Sequence, residues 1–118
     1  MNKFRFLDWQ VYQDAQDLFI EVSKVVASLS QESRYVIGSQ LSRAALSVVL
    51  NIAEGSGKTS DKELNRFFEI ALGSLYETLA AIDTLEKMAS ITPQEKEIFF
   101  KKVEVISSQI GGFKKKLK

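Results

Sequence analysis

Five polar residues, Gln40, Arg43, Ser47, Asn51 and Glu54, recur at steps of three or four through an otherwise apolar stretch. At about 3.6 residues per turn they fall in one stripe along a helix. Glu63, Arg66 and Glu77 follow downstream, where a neighbouring helix could present them to that stripe. The residue types allow several kinds of chemistry. Glu54, Glu63 and Glu77 could hold a hard cation through oxygen ligands, although their spacing is not specific for one. Arg43, Asn51, Glu54 and Arg66 could line a groove or pore that takes a polar ligand. Alternatively, the groups pair with one another. A buried polar group left unpaired costs about 1–3 kcal/mol, and buried polar pairs commonly fix helix packing. Pairing is the preferred reading: the stripe locks the register of a helical hairpin or a subunit interface.

Composition removes most catalytic alternatives. The 118-residue chain has no histidine and no cysteine. The commonest general base and transition-metal ligand are therefore missing, as are disulfides, thiolate metal sites and cysteine nucleophiles. The Glu-x-x-His pairs of di-metal bundles cannot form without histidine, and a serine triad lacks its imidazole. A Ser–Lys pair has no supporting motif. The run Gly55-Ser56-Gly57-Lys58 is not a phosphate loop, because it lacks the upstream glycine, the Ser or Thr after lysine, and a preceding strand. No enzyme activity, cofactor, metal or small-molecule substrate is expected.

The elements that would position the stripe read as four helices. Residues 8–29 carry Val11, Ala15, Leu18, Val22 and Leu29 on one face, with Asp8 as candidate cap. A second helix spans about 33–54 and is apolar nearly all round, which calls for cover by another subunit. Gly55-Ser56-Gly57 then stops it through the left-handed backbone that glycine adopts readily. Ser60 and Glu63 form a capping box for a third helix, 61–89, and Thr92, Pro93 and Glu95 form another for a fourth, 93–117. Gly73 inside the third helix predicts close approach of another backbone, and Gly111-Gly112 an end or bend in the fourth. The longest near-apolar run, 44–53, is too short to span a bilayer. MNKFRFLDWQ lacks the apolar run of a signal peptide, so a cytoplasmic protein without a membrane partner is expected.

Short connections between helices make neighbours antiparallel. The expected architecture is a single all-α domain over 1–118, an up-down-up-down four-helix bundle that oligomerises through its apolar surplus. If the central hairpin turns near residues 58–59, Glu54 comes level with Glu63 and Arg66, Asn51 with Arg66, and Ser47 with Ile70. Arg43 comes level with Ser74 and Glu77, and Gln40 with Glu77, so Arg43 and Glu77 are expected to form a partly buried ion pair.

Formal charge is +1, but the basic residues gather at the ends. Lys3 and Arg5 sit in an arm, residues 1–7, whose aromatics anchor it to the body. Lys114, Lys115, Lys116 and Lys118 sit in a C-terminal end, residues 113–118. An even number of alternating helices brings the two ends together. The resulting patch is a candidate for phosphate-led, salt-sensitive nucleic-acid binding.

The run Gln40, Arg43-Ala44-Ala45, Ser47, Asn51-Ile52-Ala53-Glu54-Gly55, Gly57-Lys58 resembles the hallmark of a bacterial four-helix family. Its continuation Glu63, Phe67, Ile70-Ala71, Gly73-Ser74-Leu75 and Glu77 matches too, as do Leu7, Trp9-Gln10 and Ala15 in shifted form. The family is that of proteins encoded in intervening sequences of 23S ribosomal RNA genes. It is related to the accessory variability protein of diversity-generating retroelements. The resemblance implies a protomer that assembles into a ring, typically a homopentamer. It also implies, through the retroelement relative, binding of nucleic acid and a reverse transcriptase. This chain departs in Tyr35-Val36-Ile37, where Tyr-Gly-Leu is usual, and in Gly57-Lys58, where Gly-Arg is usual. Its charge of +1 is low for a nucleic-acid barrel. The preferred function is therefore a non-enzymatic homo-oligomeric scaffold, with the nucleic-acid accessory role as the alternative.

Overall fold

In a computed structural model that describes residues 3–118, four long helices surround one core. A 3₁₀ turn, Arg5–Asp8, precedes α1 (Gln10–Ser28); α2 (Gln31–Ser56), α3 (Asp61–Lys87) and α4 (Pro93–Lys116) follow. Among the described residues there are no strands. Each helix packs on two others, α1 on α2, α2 on α3, α3 on α4, and α4 back on α1. The particle measures 44 × 22 × 22 Å, its length set by the 27 residues of α3 at about 1.5 Å per residue. Leu18, Leu41, Ile52, Phe68, Leu75, Ile82, Leu85, Ile106 and Ile110 are fully buried. Each such side chain contributes about 1.5–3 kcal/mol by leaving water.

Several expectations change at the helix ends. Trp9, not Asp8, is the N-cap of α1, and its side chain makes no capping bond. α2 starts at Gln31, where Ser30 Oγ accepts from the Ser33 N–H at 3.2 Å. It then runs through one π-helical turn, Arg34–Gly38. That turn sits where Gly38 presses on α1: a Cβ there would lie 3.0 Å from Val26 Cγ1. A widened turn accommodates such a local mismatch between backbone and packing. In the arm Phe6 lies edge-on to Tyr12 at 4.8 Å, whereas Phe4 and Leu7 stay exposed. The first two residues of the arm lie outside the described ones.

The glycines behave differently from the sequence reading. Gly55 does not end α2 by a left-handed turn, since no described glycine has positive φ. It is buried instead beneath α3, where an added Cβ would lie 2.8 Å from Phe67 Cβ and 3.1 Å from Leu64 Cδ1. Gly73, expected at a close approach, has nothing within 4 Å of its would-be Cβ. α4 passes through Gly111 and Gly112 without a break. The left-handed position is Ala89, φ 60°, which closes α3 with paired bonds from Ala89 N to Glu86 O and Ser90 N to Leu85 O, both 2.9 Å. This is the Schellman pattern. Thr92 and Glu95 form the full capping box, whereas Ser60 caps α3 without the return bond, because Glu63 turns to Arg66.

By length and composition α2 could cross a bilayer. The sequence reading weighed only the near-apolar run 44–53, whereas the helix that carries it has 26 residues. Its apolar side chains are divided in two sets: Leu41, Ala45, Val48 and Ile52 enter the core, while Leu46 and Leu50 stay outside.

Candidate functional site

The polar stripe of α2 lies along its seam with α3, and the seam sorts the residues by depth. Ser47 Oγ and Ser74 Oγ share a hydrogen bond of 2.8 Å. Asn51 Nδ2 donates to Ser47 O at 2.8 Å and to Ser47 Oγ at 2.9 Å. One turn further along α3, the buried Thr78 hydroxyl donates to Ser74 O at 2.8 Å. The half-buried part of the stripe is thus a closed chain of hydroxyls and an amide. Ser74 and Thr78 complete it. Their four-residue spacing on the apolar face of α3 was the signal available in the sequence.

The charged members lie outside this seam. The contact of Ser47 with Ser74 brings the two helices level as if reflected between residues 60 and 61, about half a turn beyond the middle of the connection. Opposing residues therefore slip by about one helical turn. Ser47 meets Ser74, not Ile70, and Asn51 bonds within α2, not to Arg66. The predicted Arg43–Glu77 ion pair does not form within the chain, since both side chains are exposed with no ion-pair or hydrogen-bond partner among the described residues. Glu54 sits 4.0 Å from Lys58 Nζ, in the connection that follows α2. Glu63 accepts from Arg66 Nε at 3.1 Å within α3. The Arg66 guanidinium lies 4.6 Å and the Lys58 ammonium 5.2 Å from the Phe67 ring centre. Both geometries are cation–π contacts.

Glu54, Glu63 and Glu77 are thus not brought together, and among the described residues no three carboxylates form a metal-sized group. Gln40 and Glu77 do face one groove. It is shallow, about 320 Å³, and is lined also by Val36, Ala44, Ala80 and Thr84. Next to it the outer face of α2 and α3 shows Leu50, 55% exposed, and Ile70, 40% exposed.

The other candidate site is the basic end. Trp9, Phe68 and Phe113 cluster with ring centres 4.7–6.4 Å apart, tying the start of α1 to the end of α4. Arg5 stacks 5.2 Å from the Trp9 ring and donates from Nε to Ser56 O at 3.0 Å, so its guanidinium closes the end of α2. Lys114 pairs with Glu69, and the Lys118 N–H donates to Asp61 Oδ2 at 3.1 Å. Lys3, Lys115, Lys116 and the Lys118 side chain remain exposed. Lys115 and Lys116 occupy the last turn of α4, where the helix dipole favours cations. Glu69 of α3 thus neutralises Lys114, one charge of the patch counted from sequence.

Residues 7–112 match the family model described as 23S rRNA-intervening sequence protein. The chain belongs to that family. A search of curated proteins returns no match. Among solved structures, a protein of unknown function from the S23 ribosomal protein family of Bacteroides thetaiotaomicron is similar, with a TM-score of 0.83 at 20% identity. The match covers 89% of this chain and 98% of that one. At that identity the likeness carries the fold. Both findings agree with the family resemblance read from Gln40–Lys58.

Proposed function

We propose that this family member is a non-enzymatic interaction protein: an up-down-up-down bundle that self-associates and serves as a scaffold in the cytoplasm. The alternating helix directions are supported by contacts in reverse order. Gly55 lies on Phe67 while Ser47 lies on Ser74, and Asp17 meets Lys102 while Asp14 meets Gln109. The observation that carries the self-association is the outer α2–α3 face. Leu46, Leu50 and Ile70 stay exposed there, beside the bare backbone of Gly73. Contiguous apolar surface on a small protein marks an interaction site. The family resemblance favours a pentameric ring. Light scattering on the size-fractionated protein tests this reading: a multiple of 13.3 kDa is expected, and a monodisperse protomer would overturn it.

A second reading, a nucleic-acid-binding accessory protein with a reverse transcriptase partner, is favoured by the exposed Lys3, Lys115, Lys116 and Lys118 at one end. The resemblance to the retroelement accessory protein points the same way. RNA and DNA binding across a salt series tests it. Binding led by phosphates weakens steeply with salt and loses strength when the three C-terminal lysines become glutamine. Absence of binding at low salt would remove this reading.

A further inference from the structure

We infer that Arg43 of one protomer pairs with Glu77 of a second copy, and that this contact sets the register of self-association through the outer α2–α3 face. The inference rests on the homo-oligomeric reading and names the residues that would hold it. Several charges around the bundle are paired within the chain, among them Glu63 with Arg66, Lys102 with Asp17 and Lys114 with Glu69. Arg43 and Glu77 have no partner among the described residues, although they are opposite in sign and belong to adjacent helices. The contact of Ser47 with Ser74 brings Ala44 level with Glu77, so the two charges flank the seam at nearly the same height.

What surrounds them is suited to being covered. The groove beside Glu77 is floored by Ala44, Ala80 and Ala81, and Leu50 and Ile70 project further along the same face. Gly73 offers open space at the position of its missing side chain. Small residues permit close backbone approach, and the larger apolar ones supply area. Any occupant would strip water from Arg43 and Glu77, and a desolvated charge must be paired. Because the cation lies on α2 and the anion on α3, the cation side of one copy can meet the anion side of the next, the head-to-tail contact that a closed ring requires. This favours a second copy of the chain over a partner of single-sign charge. Between copies the carboxylate can accept two parallel bonds from the guanidinium.

The test is a charge-exchange cycle read by light scattering over a concentration series, with circular dichroism to verify folding. Wild-type protein is expected to associate. Arg43→Glu and Glu77→Arg alone should each weaken association by about tenfold or more. The double exchange should recover most of the loss. Lys101→Glu, which reverses an exposed cation of α4, should keep the wild-type mass. If wild-type protein is a monomer, the homo-oligomeric reading and this inference both fail. If wild-type protein associates and the single exchanges leave the mass unchanged, only the pairing is overturned. Folded single variants that dissociate without rescue by the double exchange also overturn it, as does equal dissociation by Lys101→Glu. Arg43→Gln and Glu77→Gln provide the same single-site readout should a charge reversal disturb folding.

Discussion

Ser47 and Ser74 meet hydroxyl to hydroxyl at 2.8 Å across the α2–α3 seam, and Asn51 secures the first of them. A seam otherwise built of Ala44, Val48, Ala71 and Leu75 tolerates these groups only at one register, where each has a partner. Removing one hydroxyl costs the other its partner across the seam. Ser74→Ala is therefore expected to destabilise by about 1 kcal/mol. The double change Ser47→Ala with Ser74→Ala should cost less than the sum of the single changes. Urea unfolding of the four proteins measures the coupling; strict additivity would mean that the contact does not act as a unit.

Gly55 and Gly112 are both helical glycines, and the same substitution should move them in opposite directions. Alanine at Gly112 meets nothing within 4 Å. It should raise stability by about 0.5–1 kcal/mol through helix propensity. Alanine at Gly55 would press on Phe67 Cβ at 2.8 Å. Its propensity gain is outweighed by overpacking, at a cost of about 1–3 kcal/mol. Thermal melts of the two variants against the parent should shift to opposite sides.

The helices, the single core and the existence of a polar seam were legible from periodicity, because an apolar face every 3.6 residues is a local signal. Register was not. The connection of residues 57–60 is centred between 58 and 59 as expected, but the capping signal at Ser60 does not give its path, and the helices come level as if reflected between residues 60 and 61. That offset moved opposing pairs by about one turn, so that Ser74, not Ile70, stands opposite Ser47. Glycine roles were equally hidden. Sequence marks a position that lacks a side chain, but whether a neighbour fills the space depends on packing, as at Gly55, or leaves it open, as at Gly73. The basic end was legible as composition. The neutralisation of Lys114 by Glu69 depends on α3 and α4 lying side by side.

Lys96 on α4 donates to both Asp83 and Glu86 of α3 at 3.1 Å. The bond to Asp83, then that to Glu86, holds its ammonium above the ordinary lysine range. A lysine raised in the folded state contributes stability that is complete below its unfolded value and disappears as pH rises through the folded one. With an unfolded value of about 10.4, the contribution is intact at neutral pH and falls away above that point. The parent protein should accordingly lose more melting temperature than Lys96→Met between pH 9 and 11. Parallel curves for the two proteins would show that Lys96 is not the group responsible.

Ala89 closes α3 at φ 60°, a backbone region in which any Cβ crowds the neighbouring carbonyl. The helix ends there because Ser90 N–H reaches back to Leu85 O, after which Ile91 is buried beneath the turn. The local fold is thus bought with strain at one residue. Glycine has no Cβ to crowd, so Ala89→Gly should relieve the strain while keeping both return bonds. Glycine also gives the unfolded chain more freedom, which offsets part of the gain. The expected net effect is a stabilisation of about 0.5–1 kcal/mol. Guanidinium unfolding should show it as a higher midpoint with an unchanged slope. A lower midpoint would mean that the turn is held by contacts of the Ala89 methyl group.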